Sequence, residues 1–147
     1  MMELQTLLAS LILNTHNIRV LHWNVVGIDF DPVHKILEKY YNTLQEYTDE
    51  VAEICLQLNI NTLGLIEALK LLQKDEKAYL SLNGSKFYDS NEVFSNIDKI
   101  FSDLISAYIE VTKQESIPSD IINKLEEHIF FLRKELQYKN RSRLGRK

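Results

Sequence analysis

The sequence predicts an all-α protein, a bundle of four long helices with a short extra helix between the second and the third. Three observations carry that prediction. Apolar residues recur at three- and four-residue intervals over four long stretches. The 147 residues include only 4 Gly and 2 Pro, too few turn formers for many short elements. Leu, Glu and Lys, all strong helix formers, are abundant. The length suits one domain with a sizeable core.

The first helix is expected from about Glu3 to Asn24 or Val25. Leu4, Leu7, Leu8, Leu11, Ile12, Thr15, Ile18 and Leu21 form its stripe, and Gly27 is the expected stop. After a short loop, Asp31-Pro32 reads as a helix start. Asp31 would be the N-cap and Pro32 would sit in the first turn, where its missing N–H is harmless. The second helix then runs to about Leu58 on Val33, Ile36, Leu37, Tyr40, Leu44, Tyr47, Val51 and Ile54, and Asn59-Ile60-Asn61 ends it. Leu63 to Leu72 is a short apolar helix that needs the bundle for stability. Leu80 to Asp89 contains Asn83-Gly84-Ser85 and reads as a loop.

Asp89 or Ser90, with Glu92 following, caps the third long helix, expected to about Gln114. Pro118 opens the fourth, expected to about Tyr138 through Ile121, Ile122, Leu125, Ile129, Leu132 and Leu136. The connection between the second and third long helices is long enough to cross the bundle. Up-down-down-up topology is therefore expected, and a ferritin-like four-helix bundle is the first candidate. The domain is expected over residues 1–138, with a short basic tail over 139–147.

A formal charge of -4 argues against nucleic acid as the default partner of the folded body. The tail differs: Lys139, Arg141, Arg143, Arg146 and Lys147 are accompanied by no acid, and could contact phosphates. The single cysteine, Cys55, cannot form an internal disulfide and reads as a buried thiol in a reducing compartment. The apolar run from Leu7 to Leu13 is too short to span a membrane and lacks the preceding positive charge of a signal peptide. A cytoplasmic protein with no membrane partner is the expectation.

The residues that carry chemistry concentrate between Leu21 and Glu53. His22, His34, Asp49 and Glu53 are all competent metal ligands, and Asp49 and Glu53, four apart, share one face of the second helix. A mixed imidazole and carboxylate set suits iron, zinc or manganese. His34 and Asp49 are 15 residues apart on one helix. At 1.5 Å per residue their Cα atoms lie roughly 22 Å apart, whereas metal bonds are roughly 2 Å long. Either these residues serve separate purposes, or a second chain completes the site. Two antiparallel copies of the second helix would bring the histidine end of one beside the acidic end of the other, and two-fold symmetry would generate two identical sites. The chain has no Glu-x-x-His, the motif that di-iron bundles use inside one subunit.

The segment Leu21-His22-Trp23-Asn24-Val25-Val26-Gly27, then Phe30, Val33-His34 and Thr48-Asp49-Glu50-Val51-Ala52-Glu53-Ile54, resembles the ferroxidase signature of the Dps family, the miniferritins or DNA-binding proteins from starved cells. Leu125 to Leu132 is similar to the family's fourth-helix pattern, so the resemblance covers nearly the whole chain. It implies a homododecameric shell in the cytoplasm, with the bacterial nucleoid as an alternative location. The shell would oxidise Fe(II), preferably with hydrogen peroxide, store Fe(III) mineral and protect DNA from oxidative damage. It implies two irons per inter-subunit site, with His22 and His34 from one subunit and Asp49 and Glu53 from the other; zinc is an alternative occupant. Glu38, one turn after His34, matches a position assisting the second iron, and Trp23 matches the family's tryptophan beside the site. Glu115 and Asp120 are candidates for an acidic three-fold pore. Phe130-Phe131 stands where many members carry a second tryptophan, and the first helix is expected to start too early for a Lys-rich N-terminal arm. The competing expectation is a shell that binds and compacts DNA, with iron chemistry secondary or absent.

Overall fold

The computed structural model describes residues 2–74 and 79–145, with side chains described through residue 137. Its elements are α1 (Met2–Asn24), α2 (Phe30–Gln57), α3 (Leu65–Lys74), α4 (Ser90–Thr112) and α5 (Ser119–Gly145). α1 packs against α2, α3 and α4, and α4 packs against α5. The core is continuous through all four long helices: Leu7, Leu11, Leu37, Leu44, Phe101, Leu104 and Leu125 are fully buried.

The chain direction follows from one contact. Val25, just past α1, pairs in a parallel bridge with Tyr88, just before α4. The end of α1 and the start of α4 therefore share one end of the bundle. α2 leaves that end and returns to the other, so α2 and α4 run the same way and the order is up-down-down-up, as expected. The crossing segment is tied to α1 by a row of polar side chains. Asn17 Nδ2 donates to the Leu80 carbonyl (2.9 Å) and Asn17 Oδ1 accepts from the Leu82 N–H (3.3 Å). Asn24 Nδ2 donates to the carbonyls of Gly84 (2.7 Å) and Lys86 (2.9 Å). Asn14 and Asn17 are buried and paired: Asn14 bonds Ser10 and Asn17 within α1, and Asn17 also bonds the crossing segment.

Three helix boundaries, and the role of Gly27, differ from expectation. α1 ends at Asn24, as expected, but Tyr88 and not Gly27 captures its exit: the Val26 N–H donates to the Tyr88 carbonyl and the Tyr88 N–H to the Asn24 carbonyl. Gly27, with φ +122°, instead turns the chain toward α2, and its carbonyl accepts from the Phe30 N–H. α2 consequently starts at Phe30 with Asp29, not Asp31, at the N-cap. Asp31 lies inside the first turn, where its charge suits the helix dipole. α3 spans Leu65–Lys74, two residues later than expected; the Gly64 N–H is capped by the Glu67 carboxylate and the Gly64 carbonyl accepts the first helical bond, from Ala68. α5 runs on to Gly145, past Tyr138, so the expected boundary of the basic tail falls within a helix.

Two boundaries match with their physical devices visible. Asp89 and Glu92 form a reciprocal capping box at α4. α2 closes on Asn59 at φ 56°, with the Ile60 N–H on the Cys55 carbonyl and the Asn59 N–H on the Leu56 carbonyl, the Schellman pattern with Asn in place of Gly. Cys55 is buried, and burial pushes its thiol pKa up. No helix among the described residues is long and apolar enough to cross a membrane.

Candidate metal centre

The tight turn at Gly27 folds the start of α2 back along the end of α1, and it places His22 against His34. Their rings stack at 3.6 Å with an interplanar angle of 17°. Each Nδ1 lies 2.9 Å from the other residue's backbone carbonyl. A carbonyl oxygen only accepts, so each Nδ1 must donate. In the neutral rings both lone pairs then reside on Nε2. The reciprocal bonds thus hold two imidazoles in the tautomer a metal requires. Phe30 stacks on His34 at 4.8 Å, and the edge of the Tyr41 ring meets His22 at 5.2 Å. The Arg19 guanidinium sits 4.3 Å over Tyr41 and bonds Gln45. His22 is 9% exposed and His34 is half-buried.

The carboxylates stand elsewhere. α2 is unbroken, so Asp49 remains roughly 22 Å and Glu53 roughly 28 Å along the helix from His34, and both are exposed. Glu38 is exposed one turn after His34. Among the described residues of one chain, no three His, Cys, Asp or Glu side chains come together to hold a metal ion. Exposed apolar side chains flank both halves: Trp23, Val26, Ile28 and Phe30 beside the histidines, and Leu56 one turn past Glu53. Trp23 is 60% exposed, with the His16 ring edge-on at 5.7 Å. His16 is therefore an exposed neighbour of Trp23.

Glu115 lies between α4 and α5 and Asp120 in the first turn of α5; both are exposed. The side chains of Lys139, Arg141 and Arg143, and all of Arg146 and Lys147, lie outside the described residues.

Sequence reasoning found no partner for His128. The structure shows three. His128 is 3% exposed; its Nε2 bonds the Glu50 carboxylate of α2 and its Nδ1 lies 2.8 Å from the Tyr108 hydroxyl of α4. The Tyr47 ring stacks on the imidazole at 3.6 Å and 5°. Burial lowers the His128 pKa, partly offset by the Glu50 bond. Burial pushes Tyr108 well above the usual phenol range and, with Glu50, Glu46 and Glu127 nearby, Tyr47 up to about 12. One signal was present in the sequence: His128 falls on the apolar stripe between Leu125 and Leu132.

Comparison with known proteins agrees with this architecture. The model of the ferritin-like domain family matches residues 2–141. A DNA protection during starvation protein of Helicobacter pylori is 30% identical over 130 residues, 86% of this chain and 88% of that protein. Among solved structures, a C-terminal deletion mutant of Mycobacterium smegmatis Dps superposes with a TM-score of 0.79 at 22% identity, over 93% of this chain and 92% of that one. A Dps protein of Vibrio cholerae, described as a member of a broad superfamily of ferritin-like diiron-carboxylate proteins, has a TM-score of 0.67 at 25% identity, over 91% and 86%. The up-down-down-up bundle, its crossing helix and these likenesses over nearly the whole chain place the protein in the ferritin-like family, among the Dps proteins.

Proposed function

We propose that this protein is a ferroxidase and iron store whose site forms between two copies of the chain. The observation that carries the reading is the His22–His34 pair, locked by reciprocal backbone bonds with both Nε2 lone pairs free. A pair of imidazoles is half a ligand set, and α2 keeps the matching acids out of reach on the same chain. Antiparallel α2 helices would supply Asp49 and Glu53 from the neighbour, with Glu38 and Trp23 at the rim. The exposed apolar residues beside each half are what such an interface would cover. Membership of the Dps proteins supports both the diiron reading and a closed shell, which we take as a homododecamer.

Iron is the substrate. Two Fe(II) ions and one hydrogen peroxide, with two protons, yield two Fe(III) and two waters. The chain's residues bind and orient the ions so that both electrons leave together and hydroxyl radical is not released. The histidines are neutral donors and the two carboxylates offset the metal charge, which leaves open positions for the oxidant. Stopped-flow mixing of Fe(II)-loaded protein with peroxide tests this: the double variant His22→Ala/His34→Ala should lose fast oxidation. Unchanged kinetics would remove the assignment. Wild-type protein that binds metal at this site without turnover would favour zinc as the native occupant.

A further inference from the structure

The cluster of Tyr47, Glu50, Tyr108 and His128 lies on the core side of α2 and takes no part in the proposed metal centre. Its geometry determines its protons. The Glu50 carboxylate only accepts, so His128 Nε2 carries a proton and donates to it. In the neutral ring Nδ1 is then a base, and the Tyr108 hydroxyl donates to it at 2.8 Å. Tyr108 is fully buried, so His128 replaces water as the group able to accept its proton.

We propose that Tyr108 is a redox-active tyrosine that passes its phenolic proton to His128 when a one-electron oxidant, of the hydroxyl-radical or azide-radical class, takes its electron. A phenol resists oxidation when its proton has nowhere to go, because the radical cation is a very strong acid. Here the Tyr108 O–H bond breaks and the His128 Nδ1–H bond forms within one existing hydrogen bond. The electron reduces the oxidant, hydroxyl radical to hydroxide or azide radical to azide. The products are a neutral phenoxyl radical on Tyr108 and an imidazolium on His128. Glu50 stays a carboxylate and pairs with that imidazolium, and the face of Tyr47, stacked 3.6 Å away, adds a cation–π contact. When the electron returns, the proton returns with it. Tyr40 is the internal contrast: it is as buried as Tyr108, but among the described residues its hydroxyl has no hydrogen-bond partner and hence no base.

The test needs no iron and so stands apart from the ferroxidase reading. Azide radicals generated by pulse radiolysis oxidise the full-length protein in a Trp23→Phe background, and freeze-quenched samples are read by electron paramagnetic resonance. We expect a tyrosyl radical signal that is lost in Tyr108→Phe and retained in Tyr40→Phe. His128→Gln, which keeps a hydrogen-bond acceptor but cannot take the proton, should also lose it. A signal of full size in Tyr108→Phe would overturn the proposal, as would one unaffected by His128→Gln. Should either variant lose its helical circular dichroism, the wild type decides. Its radical must show a strong exchangeable proton coupling at the phenoxyl oxygen that vanishes in deuterium oxide; absence of that coupling refutes the assignment.

Discussion

Consider a protein assembled from two defective kinds of chain. One carries His22→Ala and His34→Ala; the other carries Asp49→Ala and Glu53→Ala. α2 is continuous from Phe30 to Gln57, so the two halves of the ligand set stay roughly 22 Å apart on each chain. If a site takes histidines from one chain and acids from its neighbour, neither parent assembly has a complete site. When the two chains are unfolded together in equal amounts and refolded, about half of the two-fold dimers are mixed. In a mixed dimer one site combines both defects and the other combines both intact halves. About a quarter of the wild-type number of sites should therefore return. Stopped-flow oxidation of Fe(II) by peroxide reads this directly, with the fast-phase amplitude as the count of sites. A mixture no more active than its parents, in an assembly shown by mass spectrometry to contain both chains, would refute the two-chain reading. It would leave the reciprocal His22–His34 pairing intact, since that contact is made within one chain.

Other expectations follow from single features. The lowered His128 pKa means that the unfolded chain takes up a proton below about pH 6.5 that the folded chain refuses. The stabilisation is full above that pH and is lost as pH falls. Melting temperature should drop between pH 6.5 and 5, with a slope from this group of at most about 1.4 kcal/mol per pH unit, and His128→Gln should flatten the profile; an unchanged profile would show that His128 does not titrate with folding. Asn59 holds a left-handed backbone conformation. Asn59→Ala should cost roughly 1 kcal/mol, or about 3 °C in melting temperature, whereas Asn59→Gly should not, and calorimetry of both variants checks this. The five basic residues among 139–147 predict a salt-sensitive shift of duplex DNA in gels, lost on removing those residues. A shift that survives their removal would place DNA contact elsewhere on the chain.

The sequence by itself determined the helices and their order. Stripes of Leu and Ile at helical spacing are local signals, and Asp89-x-x-Glu92 and Asn59 are local caps whose chemistry reads from a few residues. The length of the second helix also follows from local pattern, and with it the conclusion that His34 and Asp49 cannot share a metal within one chain. Tertiary structure decided the rest. The end of α1 and the start of α2 depend on Tyr88, more than 60 residues away in sequence from Asn24, and on the turn at Gly27. No local rule distinguishes Asp29 from Asp31 as the cap. The reciprocal bonds that select the His22 and His34 tautomers exist only once α1 and α2 lie side by side. His128 was legible only as a polar residue on an apolar stripe. Its partners come from α2 and α4, and spacing along one helix does not reveal which side chains two other helices will bring to it.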